Sequence, residues 1–485
     1  MGVKYNIVDL FCGAGGMSTG FAQSEKFDVI LGTDHDAASA GSFKINHPRS
    51  GFIRGNVCYV TGNDICKAAH ANKEDIDVVV GGIPCQGFST LGKRLVEDPR
   101  NILFCEFTRL VKEINPPIFV LENVSGMKTM KDLKNNVVYD MVKNAFRRIG
   151  YEVNSYLLNA VNFGVPQERK RLFFIGCKYS NISFVEPKVT HFVDYVGTFA
   201  KQDNQFKGAL TMMDVISDLP EIGPGEQSEK YLPPQTDYQR IMRKVGTQSE
   251  VKNLTLHYSH NYSKKISLIM KTIPSGSGKT IWQLLKENPE KVPEGAIPTS
   301  GFKNTYGRLS PDNPSMTITR NFACVSSSRC IHPFQNRSLT PREAARIQSF
   351  KDDYVFLNCD IEEDRYTKKL SKKQDISDFA SFVPDVPERG EIYICEKGLE
   401  RRDFSGQATR AKSGKNGINL LIGNAVPPLL AEAVSGAVSK MLDEISRKKK
   451  SGSLDPFDFK HNNIGGTLDE TQISFNFSTK RAVNK

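Results

Sequence analysis

From residue 5 to about 177, short apolar runs rich in β-branched residues alternate with stretches of helical period. This alternation predicts an α/β fold, a doubly wound and mostly parallel sheet. Strands are predicted at 6–11, 29–33, 76–80, 118–121 and 172–176. Between the third and fourth of these, Ile102, Leu103, Phe107, Leu110, Val111 and Ile114 recur at three- and four-residue steps, which predicts a helix laying one face on the sheet. Pro116 and Pro117 then stop it.

The pattern changes near residue 185. Through 335, Pro, Gly, Ser and Asn are frequent and helical periodicity is poor, as expected of a second, smaller, irregular domain. Residues 274–280, PSGSGKT, approach a phosphate-binding loop, but Ile273 stands where that pattern needs Gly and no strong strand precedes it, so a turn is expected. Regular patterning returns at Thr340-Pro341-Arg342-Glu343, a capping box with proline at the first helical position, followed by Ala344, Ala345, Ile347 and Phe350. A further helix is expected from about 427 to 445, with a charged insertion around 351–416 between the two. The resulting division is 1–184 and 336–446 for the α/β domain, 185–335 for the irregular one, and 447–485 as a flexible tail rich in Lys, Ser, Gly and Asn.

Composition narrows this picture modestly. A chain of 485 residues with 39% hydrophobic content can build one large core and a smaller one. No unbroken apolar run reaches the length of a membrane span, and the opening MGVKYNIVDLF lacks the features of a signal peptide, so an intracellular protein without membrane attachment is expected. Asn6 stands where a myristoylation signal on Gly2 wants Ser or Thr. The ten cysteines include no C-x-x-C pair, so no disulfide framework is expected; Cys324, Cys330 and His332 lack a second pair of ligands nearby, so no metal site is expected either. The net charge of +11 favours a polyanionic partner, although basic runs such as Lys448-Lys449-Lys450 are commonly solvated.

Chemistry enters at the ends of the predicted strands. DLFCGAGGMSTGF (9–21) places Gly13, Gly15 and Gly16 where the chain turns sharply between a strand and a helix, a ligand-binding arrangement; Ser18 stands where a dinucleotide fingerprint would need its third glycine. Asp34 closes the second strand at a spacing from which a carboxylate reaches a ribose hydroxyl, and capping a helix is its plainer role. GGIPCQGFST (81–90) sets Cys85 after Pro84 on the next strand exit, where a thiolate would meet a substrate in the crevice; an isolated cysteine is more commonly a small buried hydrophobe. Glu122 follows Ile118-Phe119-Val120-Leu121 and would point from that strand end into the same crevice. In PQERKR, Gln167, Arg169 and Arg171 alternate, so an extended segment projects all three one way.

The ordered set DLFCGAGG (9–16), Asp34, GGIPCQGFS (81–89), ENV (122–124), PQERKR (166–171), RSLTPREAARIQSF (337–350) and GNAVPP (423–428) resembles the DNA cytosine C5-methyltransferases of bacterial restriction-modification systems. The resemblance spans most of the chain and implies the class I S-adenosylmethionine-dependent methyltransferase fold. It implies Cys85 as the nucleophile adding to C6 of cytosine, Glu122 at N3 and the exocyclic amine, and Arg171 near O2, supported by Arg169 and Gln167. Phe11, Gly13, Gly15, Asp34, Asn56, Pro84, Asn424 and Val426 fall where that family holds S-adenosylmethionine, whose product is S-adenosylhomocysteine. One departure is Gly55-Asn56-Val57 where the family often has Gly-Asp-Ile; Asp64-Ile65 is the rival alignment. The reaction implied is methyl transfer to C5 of a cytosine flipped out of a specific double-stranded DNA sequence.

Residues 185–335 would then be the target-recognition domain, with Arg240, Arg243, Lys244, Lys303, Arg308 and Arg320 as candidates for phosphate or groove contacts. The resemblance further implies a DNA-associated protein of the bacterial cytoplasm, expected to act as a monomer, with a cognate restriction endonuclease as functional partner. Three other readings compete with this one. A tRNA methyltransferase uses the same chemistry, but the long variable region argues for duplex DNA. A thiol hydrolase needs a histidine beside Cys85, and none of the eight lies in a motif that pairs with it. A non-catalytic nucleic-acid-binding protein would have no use for intact Cys85, Glu122 and Arg171.

Overall fold

The computed structural model of the chain describes residues 4–83, 102–131, 137–192, 206–359, 367–373, 389–396 and 417–458. Strands β1 (Tyr5–Leu10), β2 (Phe27–Asp34), β3 (Gly51–Gly55), β4 (Val78–Gly82), β5 (Ile118–Val124), β6 (Glu152–Asn159), the short β7 (Gln167–Glu168) and β8 (Lys170–Cys177) come first. Three two-residue pieces follow, β9 (His191–Phe192), β10 (Lys207–Gly208) and β11 (Ser315–Met316), then β12 (Thr367–Lys373) and β13 (Arg389–Cys395). Nine of these strands form one sheet in the order β12-β13-β3-β2-β1-β4-β5-β8-β6. The five central strands β3, β2, β1, β4 and β5 are parallel, and the pairs at both edges are antiparallel. Chain order reverses between β1 and β4, so a crevice opens beyond their carboxyl ends, where doubly wound sheets bind ligands.

Helices α1 (Gly16–Gln23), α2 (Ala37–Asn46), α3 (Gly62–Ala69), α4 (Ile102–Ile114) and α5 (Val138–Arg148) belong to the first half of the sheet. The long runs of apolar residues in β4 and β5 follow from burial on both faces. Ile7, Val78, Val80, Ile118 and Val120 join one core, while Val8, Leu10, Val79, Phe119 and Leu121 join the other, with α3, α4 and α5. Strand alternation then assigns Glu122 to the face of Ile118 and Val120.

Helix α4 lies where its periodicity predicted. The sheet is nevertheless larger than the pattern suggested, because β3 and β6 carry too many polar and glycine positions to read as apolar runs. The charged stretch 351–416 contributes β12 and β13, a pair that extends the sheet beyond β3 with Ile392 opposite Gly55 and Cys395 opposite Phe52.

Farther along come α6 (Met212–Ile216), α7 (Asp237–Arg243), α8 (Lys264–Thr272), α9 (Ile281–Glu287), α10 (Pro341–Ile347), α11 (Gly417–Asn424) and α12 (Pro428–Lys450). Thr340 caps α10 as its sequence predicted, and PSGSGKT is a loop ending in Thr280, the cap of α9. Residues of α6 and α7 share a core with α10, Phe350 and Leu421; α8 and α9 pack with Tyr306, Val325 and Ile331 in a small core of their own. Buried ion pairs bind the first group together, Arg337 with Glu343 at 2.7 Å and Arg346 with both Asp218 and Asp352.

The expected flexible tail from 447 needs correction as far as residue 458. Helix α12 continues to Lys450 because Val434, Val438, Met441, Leu442 and Ile445 anchor it in the core. The chain then lies along residues 178–181, with the Ser180 amide donating to the Asp455 carbonyl at 2.9 Å and the Phe457 amide to that of Lys178 at 2.8 Å. The helical stretch 417–450 is long and apolar enough to pass for a membrane span, yet most of its apolar window is buried inside the protein.

Candidate active site

The loop after β1 is built by unusual backbone geometry. Phe11 has φ 58°, Gly13 φ 55° and Gly15 φ 93°. A left-handed conformation is cheap for glycine but costs a phenylalanine free energy, the sort of strain that clusters at functional sites. The Gly13 amide donates to Oδ2 of Asp34 at 2.9 Å, while Oδ1 accepts from the Asp36 amide at 2.9 Å. Asp34 therefore ties the glycine loop to the end of β2, and Asp36 is the residue that caps α2. A Cβ built on Gly13 would meet nothing within 4 Å, so there is open space above the loop.

Beneath the loop lies Asp9, which is 1% exposed. Ser18 donates to its Oδ2 at 2.6 Å, and Oδ1 has no hydrogen-bond partner. Burial raises the carboxyl to about 7. Ser18 thus does a job that a third fingerprint glycine could not. The close approach of α1 to its neighbour is made by Gly16 and Gly20 instead; a Cβ on Gly16 would stand 2.3 Å from the Val426 carbonyl.

Asn56 follows β3 at the same sheet edge and caps the short turn Val57–Tyr59, its Oδ1 accepting from the Cys58 amide at 3.1 Å. The rival Asp64 is in the first turn of α3, where its carboxylate accepts from Thr61 in a capping box. Both side chains thus serve as local caps, Asn56 directly after β3 and Asp64 within α3.

The second half of the site forms where β4, β5 and β8 end. Gly82 pairs with Glu122 across the parallel β4–β5 ladder, and a Cβ on Gly82 would lie 3.4 Å from Glu122 Oε2 and 4.0 Å from the Val426 side chain. Pro84 and Cys85 lie outside the described residues, two and three positions beyond Gly82. Arg171 opposes Val124 on β8, diagonal to Glu122, and its Nε donates to Oε1 at 2.8 Å. Burial pushes the Glu122 carboxyl up, and Arg171 and Arg169 oppose that shift. The pair combines a carboxyl that burial biases toward holding a proton with a cation able to steady it when charged.

Arg169 and Gln167 have other partners. Arg169 is buried and spends its guanidinium on carbonyls, Nη1 on Ile318 at 2.8 Å, Nη2 on Gly423 at 3.0 Å and Ala425 at 3.1 Å. Gln167 is fully buried, donating to Gln348 Oε1 at 2.9 Å and accepting from the Ile318 amide at 2.8 Å. Gln348 in turn donates to the Ile422 carbonyl at 2.8 Å. These two side chains clamp the strand of Arg171 to residues 318 and 422–425, which positions Val426, buried, and Asn424, exposed, beside the glycine loop. Asp9, Gln348 and Gly423 were not foreseen as site residues; all three sit inside the motifs, but only their buried partners reveal what they do.

The basic candidates of the irregular region divide by burial. Arg243 pairs with Asp218 at 3.2 Å, and Arg308 donates to the carbonyls of Met270, Ile273, His332 and Gln335, so both are interior cross-links, not nucleic-acid contacts. Lys244 pairs with Asp353, and Arg240 lies 3.6 Å from Asp237. Lys303 and Arg320 are exposed. His332 Nδ1 accepts from the amides of Phe334 and Gln335, which makes it a turn anchor.

Comparison with known proteins gives a concordant result. The profile of the family described as C-5 cytosine-specific DNA methylase matches residues 5–367. The type II methyltransferase M.DdeI of Desulfomicrobium norvegicum is 31% identical over 91% of this chain and 90% of its own length. The type II methyltransferase M1.HphI of Haemophilus parahaemolyticus is 30% identical over 90% and 86% respectively. In fold, the crystal structure of a putative prophage-encoded DNA modification methyltransferase from E. coli superposes with a TM-score of 0.59 at 23% identity, covering 91% of this chain and all of that one.

Proposed function

The chain belongs to the C-5 cytosine-specific DNA methylase family and is a DNA cytosine-5 methyltransferase, and from that premise we propose that it takes the methyl group from S-adenosylmethionine and acts on a cytosine extruded from duplex DNA through a bond from Cys85 to C6. The observation that carries this reading is the Glu122–Arg171 pair, 2.8 Å apart, at the strand ends beside Gly82, with the Val426 side chain packed next to them. The open space over Gly13 and the Asp34 carboxylate at the end of β2 support a ligand bound over the glycine loop. Phe11, Gly13, Gly15, Asp34, Asn56, Pro84, Asn424 and Val426 would hold it. When bound, S-adenosylmethionine supplies an electrophilic methyl group.

The protein's own side chains do the rest. C5 of cytosine is a weak nucleophile. Attack of the Cys85 thiolate on C6 makes C5 electron-rich, while Glu122, whose carboxyl burial biases upward against the pull of Arg171, hydrogen-bonds or protonates N3. Arg171 holds Glu122 and reaches toward O2; Arg169 and Gln167 fix the strand that carries it. After methylation, water takes the C5 proton, the C5–H electron pair forms the C5=C6 bond, and the C6–S bond breaks to release Cys85 as thiolate, which restores the aromatic ring. A stacked base exposes neither face, so the cytosine leaves the helix to react. Residues 185–335 provide target recognition, and the protein acts as a monomer on DNA in the bacterial cytoplasm beside a cognate endonuclease.

Bisulfite sequencing of DNA from cells expressing the protein, with purified enzyme acting on duplex DNA and on tRNA in parallel, tests the substrate. A duplex carrying 5-fluorocytosine should trap a covalent adduct with the wild-type protein and none with Cys85→Ala. Normal turnover by a folded Cys85→Ala protein would overturn the mechanism.

A further inference from the structure

We propose that Arg320 is a phosphate clamp at the mouth of the catalytic cleft, its guanidinium holding the phosphodiester that flanks the reacting cytosine; this rests on the cytosine-methylation reading above. The segment 318–320 is bolted to the site. Ile318 accepts from Arg169 through its carbonyl and donates to Gln167 through its amide, both at 2.8 Å. Arg169 simultaneously holds the carbonyls of Gly423 and Ala425. Gly423 is so close that a Cβ there would stand 2.3 Å from the Arg320 amide nitrogen and 2.3 Å from the Thr319 carbonyl carbon. The backbone of Arg320 therefore cannot shift relative to the residues that carry Arg171, Glu122 and Val426.

The side chain is the opposite case. Arg320 is exposed and makes no hydrogen bond or ion pair among the described residues. Of the arginines gathered here, Arg171 is committed to Glu122 and Arg169 to carbonyls, so Arg320 brings the open guanidinium fork. A fixed backbone presenting such a fork toward solvent matches two phosphate oxygens at little ordering cost. A nucleotide leaving the stack swings its flanking phosphates, and a cation held at the cleft rim stabilises that extruded geometry.

The test uses the full-length protein and two probes, a linear fragment of unmethylated plasmid DNA and a short duplex of unrelated sequence, titrated across a range of salt. Arg320→Gln is expected to weaken binding to the fragment that contains the methylated site on the order of tenfold and to lower its slope of log affinity against log salt by about one, with an equal or smaller effect on the unrelated duplex. Arg320→Lys should restore the slope and part of the affinity. Calorimetric binding of S-adenosylmethionine should be unchanged, which reports an intact fold. With 2-aminopurine at the methylated position found by bisulfite sequencing, Arg320→Gln should show less of the fluorescence of an unstacked base. Unchanged affinity and slope overturn the assignment, and so does a loss of affinity with no fall in the salt slope, which marks a contact to something other than phosphate. A wild-type protein that binds DNA but transfers no methyl group counts against the proposed function, while the salt titration still decides Arg320.

Discussion

Single residues set the chemistry, and two of them give sharp expectations. Glu122→Gln keeps the shape of the side chain and its contact with Arg171 but removes the acid, so methyl transfer should fall by about a hundredfold or more. Single-turnover kinetics with an unchanged circular dichroism spectrum check this; a rate near wild type would remove Glu122 from the mechanism. Asp9 offers a test of burial. Its folded carboxyl sits at about 7 against an ordinary 3.8, so the folded protein keeps this proton over a range in which the unfolded chain has lost it. The stabilisation is complete below 3.8 and is lost as pH rises to about 7. Asp9→Asn should flatten that part of the curve of melting temperature against pH, and parallel curves for the two proteins would refute it. The motifs made Glu122 legible in the sequence. Nothing in the pattern indicated that Asp9 would be sealed under the loop with one oxygen unpartnered.

At the scale of elements, glycine placement in α1 shows packing overriding propensity. By helix propensity alone Gly20→Ala should stabilise by about 1 kcal/mol. The added Cβ would stand 2.3 Å from the Pro428 carbonyl oxygen and 2.5 Å from Ala431 Cβ, and forcing α12 away should cost about 1–3 kcal/mol. A net loss of stability in urea unfolding is expected, and a gain would show that the two helices separate freely. Period and capping chemistry made α4, α10 and the start of α12 readable. Strands β3 and β6 were not, because one is short with a glycine at each end and the other lies at a half-exposed sheet edge. β12 and β13 were hidden for a related reason: lysines on an edge strand look like a solvated run until a neighbour pairs with them.

For the whole molecule, the decisive feature is how segments far apart in sequence are cross-linked around α10. Arg346 bridges Asp218 and Asp352 with all three side chains fully buried, and it holds the Asp352 carboxyl below its usual range. Arg346→Ala would remove the cation that two buried carboxylates share, leaving Asp218 only Arg243 at 3.2 Å and Asp352 only Arg342 at 3.6 Å, and should cost about 3 kcal/mol, seen as a large drop in urea midpoint; a loss within experimental error would mean these segments do not depend on one another. Residues 206–256 therefore share their core with α10 instead of standing apart, something composition could not indicate for a region so poor in periodicity. The sequence by itself determined the alternation of strand and helix, the motif residues at the strand ends and thereby the family, because those features depend on local spacing and on residue types that few chemistries require. Only the tertiary structure decided which cations are free and which are spent. Arg243 and Arg308 look like Arg320 in the sequence, but burial and carbonyl partners contributed by distant segments consume their charge, and only folding brings those partners together.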